Sequence, residues 1–307
     1  MGIEGRSSKH ALAAGTSHVH LLAAACTELM KHRHASARLL DAGCGRGTLM
    51  ALLQRILPDR LPNVNIEICG FDVYDYGGLD SSIALSAVDN LRFEFPAIDW
   101  ASRVRMISTK EAWPFEENSL DLILSNMVLE HVKSLPFLFA ETARTLRPGG
   151  SSIHVFPLRH AMLEQHLKLP FVHRIQNHDL RCAWITILSG LGLGGYSAHK
   201  GAQQSIHEYA EAHADFIGQH TNYASYGEML RLAKDAGLRC SFRYTAEYYL
   251  QRLLRAFGRS GFCHYRPQRS ANVDWLAMHL LKYVAIVTMV LEKADAYSSV
   301  HRGPEHR

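Results

Sequence analysis

The sequence predicts one α/β domain with a mostly parallel sheet of seven strands, helices on both faces and a cap inserted after the fifth strand. Apolar runs of strand length alternate with helix-length segments through the first half of the chain, as in parallel sheets. A glycine-rich turn follows the first run, and another helix and strand pair lies near the carboxyl end. Strands are expected at 37–42, 65–71, 103–108, 120–125, 152–156, 238–245 and 283–291, and helices at 8–33, 48–57, 83–91, 136–146 and 226–236.

The regular alternation stops after Pro157 and resumes near residue 223. The residues between carry several histidines, two glycine clusters and a long polar stretch at 199–220. They follow the carboxyl end of strand five, at the edge where α/β sheets bind ligands, so we expect a substrate-side cap on a Rossmann-like core. The predicted divisions are an N-terminal helical segment at 1–35, the core at 36–157, the cap insertion at 158–222 and the C-terminal part of the core fold at 223–307.

Composition narrows the classes of protein. The 307 residues are 47% hydrophobic and 20% charged, which suits a substantial core. A formal net charge of +4 is too small to indicate a nucleic-acid partner. Six cysteines without paired spacing indicate reduced thiols, and with no signal peptide expected, the predicted location is cytoplasmic. Charged residues interrupt the most hydrophobic run, 273–291, which predicts a helix and a buried strand rather than a transmembrane segment.

The turn after the first strand reads DAGCGRG, from residue 41 to residue 47. Its spacing is G-x-G-x-G, whereas the dinucleotide fingerprint is G-x-G-x-x-G/A, whose third position is Thr48 here. Asp41 would repel a pyrophosphate but attracts a ligand that carries an ammonium and a sulfonium. S-adenosylmethionine carries both. Its predicted contacts at this turn are Asp41, Gly43, Cys44 and Gly45.

Asp72 stands at the end of the second strand. A carboxylate at this position can accept hydrogen bonds from both hydroxyls of a ribose. We therefore expect Asp72 to bind the ribose of the cofactor, with Val73 beside it.

Five elements occur in register along the chain: the D-x-G-x-G loop, the strand-two acid, WPFEENSLD at 113–121, SNMVLEHV at 125–132 and LRPGG at 146–150. Together they resemble the type 11 branch of class I S-adenosylmethionine-dependent methyltransferases. The resemblance covers residues 36–157 closely and residues 223–292 only in the order of strands and helices. It implies an enzyme that uses S-adenosyl-L-methionine and releases S-adenosyl-L-homocysteine.

The resemblance also assigns further cofactor contacts. Ser125 and Asn126, at the tip of strand four, would face the cofactor. The family often has Gly-Asp-Ala after strand three, with the acid on the adenine amino group, whereas this chain has Ser108-Thr109-Lys110. Thr109 and the backbone of Lys110 are then expected to contact the adenine.

Methyl transfer to a hydroxyl requires alignment of the acceptor and removal of its proton. His131 follows strand four and is the first candidate for the base, with packing of the next helix as the alternative interpretation. Some quinone-pathway relatives carry Glu-x-x-Glu-His here, but Met127 replaces the first Glu. Two adjacent ligands make a poor site, so no metal is expected.

The first part of the cap is both polar and aromatic, and His160, His166 and His173 lie in it as candidate substrate contacts. His166 is the second candidate catalytic residue. A continuous helix from His166 to His173 is disfavoured by Pro170, and purely structural histidines are the alternative.

This segment is similar to one in bacterial methyltransferases encoded with cell-surface polysaccharide genes, which implies O-methylation of a sugar or glycolipid hydroxyl. A small natural-product or quinone-like phenol is the enzymatic alternative, and a catalytically silent binding or scaffold protein is the alternative from another class. A dry aromatic pocket would favour a phenol, and an open polar cleft a sugar. The acceptor is thus expected to be a small molecule or glycan. The sequence leaves open whether the protein forms a homo-oligomer.

Overall fold

A computed structural model describes residues 15–31, 35–75, 82–199, 205–259, 264–266 and 270–294. Cys263 and the ends of the helix predicted at 8–33 lie outside these ranges. The strands are β1 (Ser36–Ala42), β2 (Asn65–Val73), β3 (Val104–Ile107), β4 (Leu120–Asn126), β5 (Leu146–Pro157), β6 (Leu238–Ser241) and β7 (Ile286–Lys293). The helices are α1 (Thr16–Lys31), α2 (Thr48–Arg60), α3 (Ser82–Glu94), α4 (Trp100–Arg103), α5 (Leu135–Thr145), α6 (His178–Gly190), α7 (Tyr196–His199), α8 (Ile206–His220), α9 (Tyr226–Asp235), α10 (Thr245–Ala256) and α11 (Ala271–Leu281).

The seven strands form one sheet in the order β3-β2-β1-β4-β5-β7-β6. The strands from β3 to β5 run parallel, and β7 is antiparallel to both β5 and β6. The predicted fold class is therefore confirmed. The strand order reverses between β1 and β4, and the crevice outside the carboxyl ends of such strands is where doubly wound sheets bind ligands.

Apolar side chains cover both faces of this sheet, as expected for strands buried between two helical layers. One layer contains α1, α2 and Trp100, whose ring is fully buried. The other contains α5 and α9, with Phe139 and Met229 against the strands. The near-continuous burial of β1 and β4 fixes their tips beside one another at the switch point.

Three predicted strand boundaries were wrong by three residues or more. β5 starts at Leu146 instead of residue 152, because Leu146 already pairs with Leu120 of β4 before a shift in register. β6 ends at Ser241, and the chain then turns into α10 at Thr245 instead of staying extended. The Thr245 hydroxyl donates to the Phe242 carbonyl and accepts from the Thr288 amide, which satisfies the backbone without a further strand. β7 starts at Ile286, where the Tyr249 hydroxyl accepts the Ile286 amide, instead of at residue 283. Within the described ranges, no helix is long and apolar enough to span a bilayer.

The cap contains more regular structure than predicted. The polar stretch at 199–220 is largely helix α8, which begins with a capping box between Ser205 and Glu208. Its buried face packs with α6 and forms a separate small core. His166 and His173 do not share a helix, because Pro170 between them forms an antiparallel bridge with Leu163, which precedes His166.

Candidate functional site

The turn after β1 is shaped by glycines with positive φ. Gly43 has φ of 76°, and a Cβ added there would lie 2.5 Å from Val128 Cγ2, so the loop packs closely on the segment after β4. Gly45 also has positive φ, but a Cβ there would meet no atom within 4 Å. The amides of Gly43 and Cys44 both donate to the Phe71 carbonyl. The loop is thus pinned on one side, and at Gly45 it borders open space that a ligand can occupy.

Two carboxylates border this loop. Asp72 accepts the Gly45 amide through Oδ2 at 2.6 Å and the Val73 amide through Oδ1 at 2.8 Å, and each oxygen keeps a lone pair for a ribose hydroxyl. Burial raises the pKa of Asp72, although these hydrogen bonds oppose the rise. Asp41 is 2% exposed, and burial followed by the charge of Asp72 raises its pKa well above the usual range. A ligand with positive charge relieves both effects, which fits the ammonium and sulfonium of S-adenosylmethionine.

The tip of β4 presents Asn126 but not Ser125. The Ser125 hydroxyl is 1% exposed and hydrogen-bonds His154 Nδ1 on the neighbouring strand at 2.7 Å. Asn126 Nδ2 lies 3.1 Å from Nε2 of His18 on α1, and its Oδ1 is buried without a partner in the described chain. Asn126 thus keeps a free polar atom at the switch point, whereas the role of Ser125 stays a prediction without geometric support.

The loop expected to meet the adenine is tied to Asp75. This carboxylate accepts the Ser108 hydroxyl at 2.7 Å and both the amide and the hydroxyl of Thr109. The Ser108 hydrogen bond is the main reason that the pKa of Asp75 is lowered. The Lys110 amide donates to the Ser108 hydroxyl. With these groups engaged, the adenine contacts at Thr109 and Lys110 stay predictions.

His131 and His166, which the sequence analysis singled out separately, lie together. Their Nε2 atoms are 3.2 Å apart, His131 Nδ1 lies 2.9 Å from the His220 carbonyl, and His166 Nδ1 lies 2.6 Å from Oε1 of Glu164. Each Nδ1 faces an acceptor and therefore carries a proton. The two Nε2 atoms then share one proton, because two lone pairs would repel and two protons would clash.

The electrostatics assign that proton to His166. Burial lowers the pKa of His131, whereas for His166 the hydrogen bond and charge of Glu164 outweigh burial and raise the pKa. Glu164 is fully buried, and the contact with His166 outweighs burial and lowers its pKa to about 2. Glu164 also accepts the Tyr223 hydroxyl and the Leu167 amide, both at 2.7 Å. The arrangement is a neutral His131 beside an imidazolium–carboxylate pair.

Glu130, directly before His131, is 1% exposed, and neither of its oxygens has a partner in the described part of the chain. Burial raises its pKa to about 8, so this carboxyl is mostly protonated at neutral pH. No group of three or more His, Cys, Asp or Glu side chains arranged to hold a metal occurs among the described residues. The His131 amide donates to the Val128 carbonyl, and Val128 packs on Gly43, so the segment that carries His131 contacts the glycine-rich turn after β1.

His160 and His173, the other two candidate substrate contacts in the cap, lie in a neighbouring cleft of about 620 Å³, which is lined mainly by polar side chains. His173 is buried, its ring 4.6 Å from that of Tyr223, and its Nε2 lies 3.3 Å from the Arg159 carbonyl. His160 accepts the Tyr226 amide at 3.4 Å. Because Tyr223 also bonds Glu164, the cleft adjoins the histidine pair.

Sequence reasoning missed Glu164, Tyr223, His18 and Asp75. A signal existed for Glu164, since an acid two residues before His166 is able to orient that ring. Tyr223 and His18 carry no such local signal, because both reach the site from distant parts of the chain.

A sheet whose strand order reverses between β1 and β4, a glycine-rich turn at the reversal and an acid at the tip of β2 are the features expected of a class I methyltransferase fold. A family model described as a methyltransferase domain matches residues 16–241. The chain therefore belongs to the methyltransferase domain family. Membership of this family confirms three predictions: the class I methyltransferase fold family, enzymatic activity as a methyltransferase, and S-adenosylmethionine as the cofactor.

Curated relatives include the malonyl-[acyl-carrier protein] O-methyltransferase of Hahella chejuensis, 31% identical over 115 residues, which are 38% of this chain and only 34% of that protein. The enzyme of the same name from Methylococcus capsulatus is 24% identical over 230 residues, with 73% of this chain and 72% of that one covered. Among solved structures, geranyl diphosphate C-methyltransferase from Streptomyces coelicolor is 18% identical, with 87% of this chain and 77% of that one covered and a TM-score of 0.44.

Proposed function

We propose that this protein transfers a methyl group from S-adenosylmethionine to a hydroxyl of a sugar or glycolipid. The observation that carries the proposal is the pair of imidazoles, His131 and His166, whose Nε2 atoms lie 3.2 Å apart with a buried carboxylate behind them. A hydroxyl must lose its proton as its oxygen is methylated, and a positioned histidine is the usual acceptor. When bound, S-adenosylmethionine supplies the electrophilic methyl group.

The two Nε2 atoms share one proton at rest, and they can accept the proton of a hydroxyl only after this shared proton has been released to solvent. Loss of the shared proton leaves two imidazole lone pairs side by side. A hydroxyl against them donates its proton, which restores the arrangement in the structure. Glu164 is a positioning residue, because Tyr223 and the Leu167 amide hold its carboxylate while it orients His166 through Nδ1.

The cofactor side is proposed to use Asp41, Gly43, Cys44, Gly45, Asp72, Val73 and Asn126. The acceptor side is an open cleft with polar lining, which favours a sugar over a phenol that would need a dry aromatic pocket. His160 and His173 line it. Two relatives are named as O-methyltransferases, which supports transfer to oxygen.

The test combines cofactor binding with methyl transfer. Titration calorimetry with S-adenosylhomocysteine measures the first, and radiolabelled transfer to hexoses, hexose phosphates and a bacterial glycolipid extract measures the second. We expect His131→Ala and His166→Ala to abolish transfer while binding persists, and His207→Ala, an exposed control on α8, to keep both. Transfer to catechol but to no sugar would assign a phenol acceptor. Absence of cofactor binding at millimolar concentration would indicate a silent scaffold protein.

A further inference from the structure

We propose that the cleft beside the histidine pair is a phosphate-binding subsite, which takes a phosphate or diphosphate group carried by the acceptor. This inference rests on the proposed hydroxyl methylation, since it concerns a second group of the same acceptor. Three arginines and two histidines line the cleft, and no Asp or Glu does among the residues described. The cations are Arg159, Arg174 and Arg181, whereas burial lowers the pKa of His160 and His173 and favours their neutral form.

Arg181 is the deepest of these cations and is 6% exposed. Its Nε and Nη2 donate to the Ile175 carbonyl at 3.0 and 2.7 Å, and its Nη1 donates to the Ala214 carbonyl at 2.8 Å. No ion pair within 4 Å joins Arg181 to a carboxylate of the described chain; burial lowers its pKa, and the more distant charge of Asp215 only partly opposes this. A buried cation held only by carbonyls keeps its full charge, and an anion in the cleft compensates it.

Arg159 and Arg174 lie at the mouth of the cleft. Arg174 donates through Nε to the Arg159 carbonyl and through Nη2 to the His160 carbonyl, which leaves Nη1 without an acceptor in the described ranges. Arg159 donates through Nε to the Tyr223 carbonyl and has one loose ion pair, with Glu228 at 3.5 Å. Two guanidinium groups with unused donors match the oxygens of a phosphate.

The positive charges around the cleft also act on His160. After burial, the charges of Lys282, Arg174 and Arg159 lower the pKa of His160. The cleft connects to the histidine pair through His173, whose ring contacts that of Tyr223 at an angle of 40°, and through the Tyr223 hydroxyl, which donates to Glu164. One acceptor can therefore place its phosphate in the cleft and a hydroxyl at the histidine pair.

Calorimetry at low ionic strength tests the subsite apart from methyl transfer. Pyrophosphate stands for phosphate on a soluble carrier, phosphatidic acid vesicles for a lipid headgroup, and malonate for a carboxylate. We expect pyrophosphate or phosphatidic acid to bind, Arg174→Gln to weaken that binding by about tenfold or more, and the exposed control Arg105→Gln to leave it unchanged.

If Arg174→Gln weakens the binding of pyrophosphate, the phosphate belongs to a soluble carrier. If it weakens only the binding of phosphatidic acid vesicles, the phosphate belongs to a lipid. Equal binding by wild type and Arg174→Gln, or malonate binding as tight as pyrophosphate, overturns the subsite. In either failure, cofactor binding and transfer to unphosphorylated sugar remain as separate readouts of the proposed function.

The exposed face of α10 and α11 carries a second inference independently. Each helix exposes an apolar stripe at spacing i, i+3, i+7, and the two helices pack against each other. The exposed fractions run from 43% to 73%; the residues are Leu250 and Leu253 on α10, Phe257 directly after its last residue, and Val273, Leu276 and Leu280 on α11, with Trp275 60% exposed beside them. Large apolar side chains grouped in this way indicate an interaction surface rather than scattered exposure.

The charged residues around these stripes indicate what kind of partner binds this face. Arg252 and Arg259 are exposed and Arg255 is half-buried, whereas Glu247 is buried and Asp274 is half-buried. We infer that this face lies on the surface of an anionic bilayer, where apolar side chains enter the headgroup layer and arginines meet lipid phosphates. Tyr283 directly follows the stripe on α11 and lines the cationic cleft, so the cleft would lie close to the membrane.

Co-sedimentation with vesicles tests this surface. We expect binding to phosphatidylglycerol vesicles, little binding to phosphatidylcholine vesicles, and loss of most binding in the double variant Leu253→Gln, Phe257→Gln. Phe93→Gln, which removes a 92% exposed ring on α3, is the matched control. Unchanged binding in the double variant overturns the inference. So does a wild-type dimer in sedimentation velocity that the double variant dissociates, since a second copy would then be the occupant.

Discussion

Replacing Glu130 with glutamine removes a carboxyl group that is 1% exposed and whose oxygens have no partner in the described chain. Burial raises its pKa to about 8, from an ordinary value of 4.5. Between these two values the folded protein holds the proton and the unfolded chain releases it. The free energy of unfolding of the wild type therefore falls as pH rises through this interval.

The size of the effect follows from the width of the interval. At about pH 7 the wild type lies roughly 2.5 pH units above the unfolded-state value, which at about 1.4 kcal/mol per unit amounts to roughly 3 kcal/mol. Near pH 5 the same calculation gives less than about 1 kcal/mol. Glutamine does not ionise, so Glu130→Gln gains up to about 2 to 3 kcal/mol over the wild type between these two pH values.

Urea unfolding at intervals from about pH 5 to about pH 8 measures this difference, and subtraction of the two proteins removes the titrations that they share. Glu116→Gln, an exposed site in the loop before β4, is the control and should run parallel to the wild type. If Glu130→Gln also runs parallel to the wild type across the range, Glu130 is not a buried neutral carboxyl and the reasoning fails.

Asp72→Ala should weaken S-adenosylhomocysteine binding in calorimetry by at least about tenfold, roughly 1.4 kcal/mol, because it removes the proposed acceptor of the ribose hydroxyls. If the variant binds as tightly as the wild type, Asp72 does not hold the ribose. Gly43→Ala should abolish cofactor binding and lower the melting temperature, since its Cβ would lie 2.5 Å from Val128 Cγ2, while Gly227→Ala, with open space around its Cβ, should not. Glu164→Gln should lower the pKa of His166, as seen in the NMR titration of its ring; an unmoved pKa would remove Glu164 as its partner.

The geometry of the glycine turn and of Asp72 was predictable because its determinants are local in sequence. A strand, a glycine turn and a helix within a dozen residues specify the cradle at Gly43 and Gly45, and Asp72 sits at the tip of the next strand. Alternating apolar runs likewise predicted all seven strands. The errors fell at boundaries such as Thr245, where a side-chain hydrogen bond overrides an apparent β preference.

Other features depend on contacts that no local pattern encodes. Ser125 was expected to face the cofactor, yet its hydroxyl bonds His154 of the adjacent strand, a choice set by strand register. Helix α8 was interpreted as a polar stretch, because its apolar face is short and becomes recognisable only beside α6. His18 reaches Asn126 only because α1 packs over the tip of β4.

The proposed acceptor side of the site is held together by hydrogen bonds between the end of the cap and the segment after β4. The last residue of α8, His220, provides the carbonyl that fixes the ring of His131, and Asn222 donates its amide to the Glu130 carbonyl and its side chain to the Val132 carbonyl. The segment that carries His131 is therefore held from the cap side, while Val128 in the same segment rests on the cofactor loop. Displacing the cap would have two effects at once. His131 would lose the carbonyl that holds its ring, and it would be separated from His166. The histidine geometry that we propose as the proton acceptor thus depends on the contact between cap and core, and for that reason it could be recognised only in the folded chain.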